Sequence, residues 1–221
     1  MIPAPAAVGG SSRSAAAHNY PMGSKPSRAI LSRIRKLAQI AKELAEGANF
    51  SITRLTTLKS MCEDPEVAAH FAVYLANHTS RRINEISSPL HLSNSEWRMH
   101  NELVERAAEQ LQSYVEGPGD PKREDLRELL RELESVNDEY ESIPYGMVRI
   151  IRDKNVLIVE HAVRCVLSPH FAPSQAYYLA RNYAERYDPR YGTGLIPVSA
   201  PLVMDIVDFW CDYYSLDRDD L

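Results

Sequence analysis

Apolar residues recur three and four positions apart along most of this chain, the spacing that lines one face of an α-helix. The first such run follows Ser27: Ile30, Ile34, Leu37, Ala41 and Leu44 form a stripe, Arg33, Lys36 and Glu43 lie away from it, and Gly47 offers a stop. A shorter helix is expected over residues 52–62. The next run opens with Asp64 as N-cap, Pro65 at the first helical position and Glu66 near the positive helix end. It should extend to about Ile86, where "SSPLHLSNS" reads as a loop.

Two matched seams come next. Trp97, His100, Val104, Ala107, Leu111 and Tyr114 alternate spacings of three and four, and after "EGPGDP" so do Leu126, Leu129, Leu133, Val136, Tyr140 and Ile143. Seams of this kind about a Gly/Pro turn predict an antiparallel helical hairpin over residues 95–143, with Glu102, Glu105, Glu109, Arg123, Arg127, Arg131 and Glu134 facing solvent. Each seam is too short for a free-standing coiled coil.

Residues 147–167, "MVRIIRDKNVLIVEHAVRCVL", carry many β-branched side chains, and "RDKN" could turn a β-hairpin. Yet Arg149, Asp153, Glu160 and Arg164 share one face at helical spacing and neither Gly nor Pro interrupts the run. The preferred reading is a largely buried central helix. Two more helices follow, one from Ala172 to about Asp188 and one from Ser199 that buries Val203, Ile206, Val207, Trp210 and Tyr214. The expected fold is therefore all-α, an irregular bundle of about seven helices. Its expected organisation is a disordered basic tail over 1–27, one helical domain over 28–216 and an acidic C-terminal tail over 217–221.

Composition agrees with a soluble globular chain: of 221 residues, 44% are hydrophobic and 25% charged. No apolar run is long enough to span a bilayer, and no apolar segment near the N-terminus suggests a secretory signal. Cys62, Cys165 and Cys211 lie far apart without CxxC spacing, which points away from a disulfide framework and towards a reducing, cytoplasmic setting. Charge is uneven. Seven of the 25 basic residues, Arg13, Lys25, Arg28, Arg33, Arg35, Lys36 and Lys42, lie in residues 1–42 together with none of the 30 acidic ones. Such a basic arm suits nucleic acid or an acidic protein surface, including the chain's own body.

Four groups of residues could carry chemistry. His161 and Cys165 lie one helical turn apart, followed by His170, but a zinc site needs about four ligands and free cysteine is most often a small buried hydrophobe. Glu66–His70 and Glu96–His100 are Glu-x-x-x-His pairs, with His78 extending the first stripe. The usual di-metal pairing in bundles is Glu-x-x-His, and His100 falls on the hairpin seam, where a hydrogen bond to Tyr140 would account for it. In "AYYLARNYAERYDPRYGTG", residues 176–194, tyrosines interleave with arginines. Some of these tyrosines should pack on neighbouring helices. Tyr177, Arg181, Arg186, Tyr187, Arg190 and Tyr191 are the candidate partner-binding residues, because Arg and Tyr together favour stacking, cation–π contacts and interface hot spots. "YGTG", residues 191–194, lacks the remainder of a phosphate-binding loop, and no hydrolase, zinc-protease or kinase signature occurs.

The expectation is a non-catalytic helical adaptor or assembly protein acting through a protein partner or self-association, with no cofactor and no bound metal. The alternatives are a bundle metalloenzyme using Glu66, His70, Glu96 and His100, and a nucleic-acid binder led by the basic N-terminal arm.

Overall fold

The computed structural model describes residues 25–48, 52–83, 93–141, 153–185 and 198–221, without the side chains of 52, 53, 137–141 and 220. These residues form eight α-helices and no strand: α1 (Arg28–Ala45), α2 (Thr57–Met61), α3 (Pro65–Arg81), α4 (Asn94–Glu116), α5 (Asp120–Glu141), α6 (Lys154–Leu167), α7 (Ala172–Ala184) and α8 (Ala200–Tyr214). Short 3-10 turns precede α2 (Ile52–Thr56) and α7 (Pro169–Phe171), and one closes the chain (Arg218–Asp220). The expected helix over 52–62 is thus half 3-10, a tightening common at helix ends.

Local chemistry sets the helix limits. Ser27 accepts the Ile30 amide through its side chain, and Asp64 does the same for Glu66. Past the end of α1, Gly47 takes φ +88° while its amide reaches the Leu44 carbonyl and that of Ala48 reaches Glu43. This is a Schellman closure, at a conformation that costs glycine little and other residues more. Ser93 and Glu96 form a reciprocal capping box at the start of α4. The third helix stops at Arg81, short of the expected Ile86, and residues 84–92 lie outside the described ones.

The hydrophobic seams become one continuous core that runs from Ile34 on α1 to Tyr213 on α8. Its centre is α6, which packs against α3, α4, α5 and α7. Every residue from Asn155 to Glu160 is buried, as are Ala162, Val163, Cys165 and Val166. The helical reading of this segment therefore holds from Lys154 onward, and residues 147–152 lie outside the described ones. The charged face of α6 is not a solvent face. Asp153 and Glu160 are 4% and 5% exposed, and Arg164 joins Glu160 at 2.7 Å to Glu134 of α5 at 3.0 Å. The period of the charges set their alignment, but neighbouring helices decided that Asp153 and Glu160 are buried.

Helices α4 and α5 meet across residues 117–119. Lys122 donates to the Ser113 carbonyl at 2.7 Å, and farther from the turn Arg106 pairs with Glu132, so the chain runs back along itself between these points. His100, Val104, Ala107 and Leu111 are buried, as are Leu126, Leu129 and Leu133. These seams also face third partners, because α4 packs on α3 and α6 and α5 packs on α6. Arg123 of α5 donates to the last carbonyl of α6, Leu167, at 3.2 Å. His100 has a partner that its place on the seam did not suggest: its Nδ1 lies 3.0 Å from the buried carboxylate of Asp153. The side chain of Tyr140, its expected partner, and residue Ile143 lie outside the described ones.

An aromatic knot joins α3 to α8. Phe71 stacks on Trp210 with ring centroids 5.5 Å apart and meets Phe209 at 5.1 Å, and Tyr74 meets Phe209 at 5.3 Å. Helix α1 covers α8 through Ile34, Leu37, Ile40 and Ala41, all buried. At the C-terminus Asp217 caps the last 3-10 turn, Arg218 pairs with Asp208 of α8, and Leu221 packs against the core. Among the described residues no helix is long and apolar enough to cross a membrane.

Candidate interaction face

Helix α7 presents two unlike sides. Ala172, Ala176, Leu179, Ala180 and Tyr183 are buried against α6 and α3, the small alanines allowing a close approach. Tyr183 ends in a polar contact, its hydroxyl donating to Asp205 of α8 at 2.7 Å, and Arg82 at the end of α3 pairs with the same carboxylate oxygen. The opposite side carries large aromatic surface. Phe171, in the turn before α7, is 66% exposed, and Tyr178, seven residues on, is 43% exposed. Seven residues is two helical turns, so a single approaching surface can cover both side chains. His161 of α6 supports this edge, its ring 5.6 Å from that of Tyr178 and its Nδ1 2.8 Å from Gln175 Oε1.

The predicted site residues divide between places. Tyr177 is half-buried and packs on the core, and the Lys59 ammonium of α2 sits 5.1 Å from its ring centroid. Arg181 lies one turn farther along, held by Glu185 at 3.3 Å. Arg186, Tyr187, Arg190 and Tyr191 lie outside the described residues. Phe171 was missed by sequence reasoning because it is not among the tyrosines and arginines of the run. The signal available was its place between Pro169 and Pro173, in a turn that leads into the helix.

Beneath the C-terminal half of α7 lies a polar staple. Lys154, at the start of α6, donates to Asn182 at 2.9 Å and approaches Glu185 at 3.4 Å. Asn182 is 8% exposed and Glu185 4%. Burial pushes the Lys154 ammonium below its ordinary pKa, and the Glu185 carboxylate works against that shift. This staple joins the α6 start to the α7 end, a bond between buried partners that costs most when only one is removed.

The remaining candidate groups lie in separate parts of the bundle. Cys165 is buried, its thiol directed at the Ala172 carbonyl at 3.7 Å, and burial pushes its pKa far above the ordinary thiol range. Cys62 and Cys211 are also buried and raised. Such thiols are poor nucleophiles. His161 binds Gln175 and stacks on Tyr178, while His170 is exposed. Of the proposed metal quartet, Glu96 caps α4, His100 meets Asp153, and His70 lies beside Tyr213, its ring centroid 6.0 Å away. No group of three or more His, Cys, Asp or Glu side chains among the described residues is placed to hold a metal ion.

Fold and face together define an all-α bundle with a buried polar staple and an exposed aromatic edge. Compared with family models, with curated proteins and with solved structures, the chain matches none.

Proposed function

We propose that this protein is a non-catalytic helical adaptor or assembly protein that binds a protein partner along the exposed edge of α7. The observation that carries this reading is the pair Phe171 and Tyr178, large aromatic side chains left on the surface where, among the described residues, the other large apolar side chains except Met99 are buried or partly buried. Exposed aromatics spaced to meet one surface supply contact area at little cost in side-chain entropy. Tyr177 and Arg181 belong to the proposed binding run, with Arg186, Tyr187, Arg190 and Tyr191 following them in sequence outside the described residues. The buried thiols of Cys62, Cys165 and Cys211 and the packed or hydrogen-bonded rings of His70, His100 and His161 support the same reading.

The test compares copurifying proteins of the wild type with those of the Phe171→Ala/Tyr178→Ala variant and of Arg181→Ala, followed by reconstitution with the purified partner. Loss of one partner, with helix content unchanged by circular dichroism, supports the assignment. Retention of every partner by the double variant overturns it.

A further inference from the structure

Two other surfaces of the bundle carry charge in matching rows. On α1 the face opposite the buried stripe presents Arg28, Arg35 and Lys42 at seven-residue intervals, and then Glu46 four residues on. On α4 the face opposite its buried residues presents Arg98, then Glu102 four residues on, and Glu109 and Glu116 at seven-residue intervals. All eight of these residues are exposed. At 1.5 Å rise per residue each interval of seven spans about 10 Å, so the rows have equal pitch.

Laid antiparallel, the rows place Arg28 against Glu116, Arg35 against Glu109, Lys42 against Glu102 and Glu46 against Arg98. Every position in this register meets an opposite charge, including the one where each row changes sign. In the parallel register α4 ends at Glu116 opposite Lys42, so Glu46 finds no residue of that helix and its pairing with Arg98 is lost. Between the charged positions, Ser32 and Gln39 on α1 face Gln112 and Glu105 on α4, polar residues that add no repulsion. The two helices have different neighbours: α1 lies against α8 and α2, whereas α4 lies against α3, α5 and α6.

We propose that α1 of one chain docks antiparallel on α4 of a second copy of the same chain through these rows. The two surfaces differ, so the contact is head-to-tail and builds a ring or an open array rather than a closed two-fold dimer. A bilayer is a poorer occupant of the α1 row, because the apolar face such a helix would insert is already buried on α8. Nucleic acid is also disfavoured, because the chain as a whole carries 30 acidic against 25 basic residues. Exposed ion pairs are weak and screened by salt, so the association is concentration-dependent and fades as ionic strength rises. The contact uses neither Phe171 nor Tyr178, and it stands or falls apart from the adaptor reading.

Sedimentation velocity on the full chain tests it. At low salt the mass of the wild type should rise with concentration, and at about 0.5 M NaCl it should return to that of one chain. Arg28→Glu/Arg35→Glu/Lys42→Glu should remain monomeric, as should Glu102→Lys/Glu109→Lys/Glu116→Lys, with both keeping wild-type helix content. Mixing the two variants in equal amounts should restore assembly, because each then supplies the row the other needs. A wild type that stays monomeric at high concentration and low salt overturns the proposal. So does assembly that survives in both triple variants, or a mixture that does not regain it. Salt-sensitive binding of a labelled duplex that depends on Arg28, Arg35 and Lys42, by a chain that stays monomeric, would overturn it in favour of a polyanion.

Discussion

His100 of α4 and Asp153 at the start of α6 lie 53 residues apart in sequence, yet their side chains meet at 3.0 Å, each about 2–4% exposed. The other oxygen of Asp153 accepts the Asn155 amide at 2.8 Å, so a single carboxylate caps the central helix and anchors the hairpin to it. Replacing Asp153 by Ala removes the cap and leaves a buried imidazole without this acceptor. Losses of about 1 kcal/mol for the cap and about 1–3 kcal/mol for the stranded partner are expected to add to about 2–4 kcal/mol. Urea unfolding of Asp153→Ala against the wild type measures this, and a loss under about 1 kcal/mol would refute the anchoring role.

Trp210 is fully buried between Phe71, Phe209 and Tyr214, and its indole N–H has no hydrogen-bond partner among the described residues. Its stabilising effect therefore comes from packing. Trp210→Ala should cost about 3–5 kcal/mol. Trp210→Phe keeps much of the ring contact and forfeits no hydrogen bond, so it should cost clearly less, about 1–3 kcal/mol. Equal losses for both substitutions in thermal unfolding would show that the N–H matters after all.

The thiols should be silent in the folded protein. Burial raises Cys62 and Cys165 far above the ordinary thiol range, and burial, aided by Asp212 and Asp217, pushes Cys211 up to about 11. At pH 8 the thiolate needed for reaction is scarce at all three positions, and burial also blocks access. Ellman's reagent should therefore label none of them rapidly in buffer and all of them in denaturant. Fast labelling of Cys165 in the native state would revive it as a nucleophile.

His70 gives a pH dependence with a defined sign. Its burial lowers the imidazole pKa below 6.5, and the nearby Glu66 carboxylate only partly opposes the shift. With the folded value below the unfolded one, the unfolded chain binds more protons as the pH falls through 6.5. The contribution of His70 to stability is therefore intact above that pH and is lost as the pH falls towards and through the lowered folded value. His70→Asn should flatten this part of the stability profile between pH 7 and 5. An unchanged slope in the variant would assign the pH dependence to other groups.

Much of the helix pattern was legible because local chemistry fixes it. Ser27, Asp64-Pro65 and Ser199 mark where helices begin, and Gly47 closes α1 through a conformation that favours glycine. The apolar stripe Ile34, Leu37 and Ala41 goes inward as its period requires. The candidate site was legible only in part. The run of Tyr and Arg drew attention to α7, but it could not say that Tyr183 is buried on Asp205 while Tyr178 stays on the surface. Both belong to the same helix, and their difference in exposure depends on where α3, α6 and α8 lie.

The sequence by itself determined that this chain is helical, where most of its helices start, and which residues share a face, because capping and periodicity act within a few residues. Only the tertiary structure decided what each face meets. It buried Asp153 and Glu160 on the charged side of α6 and joined Arg164 of that side to Glu134 of α5, brought His100 to Asp153, and joined Lys154 to Asn182 and Glu185 across 28 and 31 residues. Buried polar groups must find partners, and which partner is within reach is set by how the helices pack.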